Sequence, residues 1–109
     1  MVEIPNRYMR IIIMYDISTD EDNIDQYNKF RNALYKLGYY RIQYSIYGKC
    51  IGSNSQYPYE KEKIMKVIPK KSNVRILLIT EKQYGDIEIL SGEKSLNEHI
   101  NDIERYIEI

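Results

Sequence analysis

The first concentrated block of apolar positions lies near the start of the chain. Ile11, Ile12, Ile13, Met14 and Tyr15 make Arg10–Ile17 a strand rich in branched residues. Ile12 and Met14 face one way, and Ile11, Ile13 and Tyr15 the other. The polar run STDEDN then breaks the strand and supplies helix-capping residues, with Thr19 and Asp22 spaced like a capping box. Ile24, Tyr27, Phe30, Leu34 and Leu37 recur at helical spacing, and Gly38 closes that helix.

The stretch RIQYSIY, Arg41–Tyr47, alternates with period two and predicts a strand. Gly48 suggests a bulge or bend before a short strand at Lys49–Gly52. SNSQYPY is a loop leading into a second helix with Pro58 in its first turn, and Pro69 ends that helix. KKSN predicts a turn, VRILLIT (Val74–Thr80) a strand, and DIEIL (Asp86–Leu90) a short alternating strand. INDIERYIEI at the end fits either a helix or a final strand at Tyr106–Ile109.

This order predicts an α+β, ferredoxin-like βαββαβ sandwich. Residues 1–109 form a single domain, with 95–109 as a C-terminal extension that can supply an interface strand. Right-handed crossovers place both helices on one sheet face. Yet the strands at Ile11 and Val74 are apolar on both faces. The second face therefore needs a cover: another sheet, giving a two-fold homodimer packed sheet on sheet, or the chain's own extension.

Composition adds less. The 109 residues hold 16 Lys+Arg and 16 Asp+Glu, so net charge names no partner. Charge is unevenly spread: acids gather from Asp16 to Asp25, and Lys61–Arg75 is a basic stretch that suits a polyanion. Cys50 is the only cysteine, which excludes an intrachain disulfide and fits a reduced, cytoplasmic setting. The Ile run is too short to span a bilayer, which needs about 20 residues, and nothing predicts a membrane partner. No phosphate-loop, dinucleotide, CxxC or HExxH motif occurs.

The acid ending the first strand, Asp16, is the candidate with the most chemistry. As turn or cap it is unremarkable. In a two-fold dimer it meets its own copy, and two facing carboxylates repel unless they share a proton or cation. Mg²⁺, a hard ion that keeps several waters, is the fitting cation, and it would serve phosphodiester hydrolysis. Lys70 and Lys71 in a turn, with Arg31 and Arg41, are candidate phosphate contacts. Tyr15, Gln43, Ser45 and Tyr47 are candidate supporting or interface residues. Cys50 reads as a packed thiol and His99 as a surface residue.

Tyr15-Asp16, the helix with Arg31, Gly38 and RIQYSIYGK form an ordered series that resembles CRISPR-associated protein 2. Gln43, Tyr44, Ser45, Ile46 and Tyr47 match its Gln, aromatic, Ser, aliphatic, aromatic pattern. PKKSNVRILLITEKQYGDIEILSGEKS and the leading NRYMR are similar to the form found in Cas9-containing, type II-A systems. The resemblance runs from Arg7 to about Lys94. It implies a small ferredoxin-like homodimer that works with the CRISPR integrase, CRISPR-associated protein 1, on double-stranded DNA during spacer acquisition. It also implies a metal-dependent endonuclease on RNA or DNA, with Asp16 as catalytic metal ligand and an activity dispensable for integration. The leading expectation is a scaffold, the alternative a Mg²⁺ endonuclease, and a small-ligand module on the same fold is the weakest of the three.

Overall fold

The computed structural model describes residues 8–17, 24–94 and 98. The Ile-rich run forms β1 (Met9–Ile17), the centre of an antiparallel sheet. On one side it pairs with β3 (Ile46–Ile51), and on the other with β4 (Ser72–Thr80); β2 (Tyr40–Gln43) lies outside β3, giving the order β2-β3-β1-β4. With α1 (Ile24–Lys36) and α2 (Tyr57–Met65) between strands, this is the expected ferredoxin-like βαββαβ arrangement.

Ile11, Ile13, Tyr15 and Ile17 point to the helix side. They pack with Tyr27, Phe30 and Leu34 of α1 and Ile64 of α2. Each such burial is worth about 1.5–3 kcal/mol. Helix α1 ends in a Schellman motif: Gly38 adopts φ +93°, Gly38 N–H donates to Tyr35 C=O, and Tyr39 N–H donates to Leu34 C=O. Buried Glu60 of α2 accepts from Lys49 Nζ at 2.8 Å and Tyr39 Oη at 3.2 Å, while Lys49 also caps Leu37 C=O. One ion pair thus ties β3 to both helices. Burial alone would raise the Glu60 carboxyl, but the Lys49 hydrogen bond and charge, helped by Tyr39 and Lys63, hold it below its ordinary value.

Three expectations need correction. RIQYSIY is a hairpin rather than one strand: Tyr44 and Ser45 form the turn, and Gln43 pairs with Ile46. A two-residue turn preserves even spacing, so the alternation passes through it unbroken. A register shift between Arg41 and Gln43 places the irregularity at Ile42 instead of Gly48. Gly48 lies inside β3, opposite Ile12, where a Cβ would come within 2.9 Å of Ile42 Cδ1 and 3.3 Å of the Tyr40 ring. The third correction concerns the stretch after β4. There Glu81–Gly85 forms a short helix, α3, and Asp86–Leu90 joins no strand ladder. Thr80 and Gln83 make a reciprocal capping box that starts α3, overriding the strand alternation of the residues beyond it. The Thr19–Asp22 cap, His99 and the terminal helix-or-strand segment lie outside the described residues.

The second sheet face is partly covered by α3 and the stretch after it. Arg10, only 1% exposed, points to this side. Its Nε donates to Glu81 Oε1 at 3.0 Å, its Nη1 donates to the Tyr40 hydroxyl, and its guanidinium sits 4.1 Å over the Tyr84 ring. Tyr84 Oη donates to Glu98 at 2.7 Å, and Cys50 Sγ lies 3.4 Å from Glu81. Beyond this anchor an apolar groove of about 760 Å³ remains between Ile12, Met14, Ile46 and Leu77 of the sheet and Ile87 and Ile89. Leu77 is 48% exposed and Leu90 91%.

Candidate functional site

Asp16 is the first charged residue after five consecutive buried or half-buried positions, and it is exposed. An unpaired carboxylate is costly to bury, so the strand brings it to the rim. It lies opposite Asn73 of β4. The hairpin tip is tied to the same place, because Tyr15 N–H donates to Ser45 C=O at 3.1 Å. Asp16, Ser45, Asn73 and Arg75 then ring a depression of about 340 Å³ floored by Met14 and Ile46. Arg75 Nε donates to Asn73 Oδ1 at 3.2 Å, which holds a cation and an amide beside the acid.

Beneath this rim is an aromatic cluster. Tyr15 meets Phe30 edge-on at 4.9 Å and stacks with Tyr47 at 5.8 Å; Tyr27 lies 5.9 Å away. Burial raises the Tyr15 hydroxyl far above its ordinary value, with neighbouring Tyr47 and Tyr27 adding to the effect. Tyr15 and Tyr47 are therefore neutral packing residues below the depression, and both belong to the helix-side core. Tyr47 Oη accepts from Arg41 Nε at 3.1 Å.

The other candidates divide by place. Ser45 lines the depression, and exposed Gln43 lines the neighbouring apolar groove. Lys70 and Lys71 are exposed in the turn entering β4, whose first residue, Ser72, pairs with Ile17. They therefore sit at the Asp16 end of the sheet. Arg41 lies on the edge strand, its guanidinium over the Tyr44 and Tyr47 rings. Arg31 is half-buried about two turns into α1 and lines neither the depression nor the groove. Cys50 is half-buried, with its Sγ 3.4 Å from Glu81 Oε2.

Sequence reasoning missed Asn73 and Arg75 as site residues. The signal was the period-two pattern of β4, which puts both on the side of Leu77; only the register against β1 shows that this side meets Asp16. Among the described residues, no three of His, Cys, Asp or Glu converge as a metal cluster. Among the described residues the depression therefore offers one carboxylate, Asp16, with Asn73 and Ser45 as neutral oxygen donors. Mg²⁺ is held elsewhere by one or two carboxylates plus waters, so this oxygen-only set fits it, best with a second carboxylate.

Comparison with known proteins adds a lineage to this geometry. The family described as CRISPR associated protein Cas2 matches residues 9–87. A protein of Campylobacter jejuni named CRISPR-associated endoribonuclease Cas2 is 37% identical over 90% of this chain and 69% of its own length. Its namesakes in Ligilactobacillus salivarius and Treponema denticola are 36% and 34% identical, each over 91% of this chain and 98% of their own. A crystal structure of cas2 superposes with TM-score 0.57 at 19% identity, covering 81% of this chain and 92% of that one. Among the described residues, no helix is long and apolar enough to cross a membrane.

Proposed function

We propose a function that starts from one premise: the chain belongs to the CRISPR-associated protein Cas2 family. On that premise the protein is a homodimeric scaffold that holds double-stranded DNA and docks the CRISPR integrase while new spacers are acquired. The observation that carries this reading is the half-covered apolar face. Leu77, Ile87 and Ile89 remain about half exposed above a groove that the described residues do not fill. A second copy related by a two-fold axis would cover it sheet on sheet. Lys70 and Lys71 would then appear twice and bind two stretches of one phosphate backbone without reading sequence.

A second reading is favoured by the relatives' name and by the depression at Asp16. It is a Mg²⁺-dependent endonuclease acting on RNA or DNA. Asp16 and its symmetry mate would hold the ion, with Asn73 and Ser45 as neutral donors. When bound, Mg²⁺ would supply Lewis acidity and a water of lowered pKa. The chain's own part is positional: Arg75 neutralises a phosphate placed over the depression, and the Ser45 hydroxyl donates to a non-bridging oxygen.

Asp16→Asn separates the two. The scaffold reading expects integration by the reconstituted complex with integrase to persist in this variant, while chelator-sensitive cleavage disappears. Loss of integration by a folded, integrase-bound Asp16→Asn protein sinks the pure scaffold. Cleavage that survives the substitution sinks Asp16 as metal ligand.

A further inference from the structure

The hairpin tip presents a feature that neither reading uses. Tyr44 is 65% exposed, yet it does not hang free. Its ring stacks on Tyr27 at 5.6 Å with only 21° between planes, and the Arg41 guanidinium lies 5.3 Å from its centroid. Tyr27 Oη also donates to Tyr44 C=O at 3.4 Å. Arg41 is in turn held by the Tyr47 hydroxyl, and Tyr47 is fully buried. A large aromatic ring is therefore fixed at the surface on a buried aromatic stack, with a planar cation over it.

Exposed aromatic side chains lose contact with water when a partner covers them, and a preset orientation lowers the cost of doing so. Nucleobases stack on aromatic rings and on arginine planes, and this binding tolerates any base. The position agrees with that use. Tyr44 directly precedes Ser45, whose side lines the depression and whose carbonyl is bonded to the residue before Asp16.

We propose that Tyr44, together with the Arg41 guanidinium over it, is a stacking platform for one unpaired nucleotide, delivering the adjacent phosphate to the Asp16 depression. The proposal rests on the nucleic-acid reading above and deepens it by making Tyr44 a specificity-determining residue for unpaired over duplex strands. A base inside a duplex has both faces covered by its neighbours, so only an end or an unpaired nucleotide can use the ring. Arg41 adds one phosphate contact. Its contribution is screened by salt, and the stacking contribution is not.

The test is equilibrium binding with chelator present, so that cleavage plays no part. The probe is a short single-stranded oligonucleotide carrying a fluorescent purine whose emission falls on stacking, compared with a covalently closed circular duplex, which has no end to stack. Wild type should quench the purine. Tyr44→Ala should weaken single-strand binding about 5- to 150-fold, with the slope of affinity against salt unchanged. Tyr44→Leu, which keeps an apolar cover over Tyr27, should behave like Tyr44→Ala, and Tyr44→Phe like wild type. Duplex affinity should be nearly the same in all four proteins. Single-strand binding that ignores Tyr44→Ala and Tyr44→Leu, or an unquenched purine in the wild-type complex, overturns the platform while leaving the Asp16 reading standing. Failure of the wild type to bind any single strand or duplex overturns both.

Discussion

Arg10 carries a permanent charge into a nearly closed place, and what surrounds it decides its effect on stability. Burial works against the charge, but Tyr40, Glu81, Cys50 and Tyr84 outweigh it and keep the guanidinium protonated. Removing one member of a buried pair typically costs about 3–5 kcal/mol, because the other charge is left alone. Arg10→Met should reach that range in urea unfolding, and Arg10→Met/Glu81→Leu should recover much of the loss. Glu60 makes a pH prediction. Its carboxyl is held below the ordinary value of 4.5, so the folded chain binds fewer protons there than the unfolded one. Its stabilisation is full above that pH and fades as pH falls through the lower folded value. Glu60→Gln should flatten the acid limb of a urea-midpoint profile below the ordinary carboxyl value of 4.5. Neither residue stood out in the sequence. The partner of Arg10 is 71 positions away, and Glu60 sits in an EKEK run that reads as a solvated helix face. Asp16 was legible because an acid that ends an apolar run needs no distant partner to be noticed. Asn73 and Arg75 became visible only with the register of β4.

Elements show the same division between local and distant information. β1 and α1 were readable because their signals are local: branched apolar residues in one, helical spacing closed by Gly38 in the other. The β2–β3 hairpin was not, because its turn carries no Gly, Pro or Asn, and the alternation simply continues through Tyr44 and Ser45. Gly48 was noticed for the wrong reason. It is the crowded point where Ile42 and Tyr40 pass over β3, so Gly48→Ala should cost about 1–3 kcal/mol by overpacking. A thermal melt would show the loss, and an unchanged melting temperature would mean that Ile42 yields freely. Helix α3 was hidden by the Ile-Glu-Ile alternation behind it, although Thr80-x-x-Gln83 is a helix-start signature in plain view. Thr80→Ala removes that cap, at about 0.5–2 kcal/mol. Because α3 brings Glu81 and Tyr84 to Arg10, hydrogen exchange should rise first in 81–90 and leave β1 protected.

At the scale of the whole molecule, the described residues of one chain cover only part of its own sheet. The helix side of the sheet is closed by α1 and α2. Among the described residues, the other side is closed around Arg10 and open from Ile12 toward Asp16, the apolar groove giving way to the polar depression at its end. A partner seated in the groove would therefore also bring its own Asp16 end close, which links the proposed dimer to the proposed metal site. Leu77→Lys probes that link. Leu77 is already half exposed in the single chain, so the substitution should leave the fold's melting temperature nearly unchanged. In a sheet-on-sheet dimer it would bury an unpaired ammonium in each subunit, at several kcal/mol per ion. Sedimentation velocity should then show a dimer dissociation constant raised at least about 100-fold. Single-strand stacking on Tyr44, which needs only one chain, should survive, whereas any Mg²⁺-dependent cleavage needing two Asp16 carboxylates should fall with the dimer. A Leu77→Lys protein that remains fully dimeric would place the subunit interface on another surface and return Asp16 to the role of a lone rim acid.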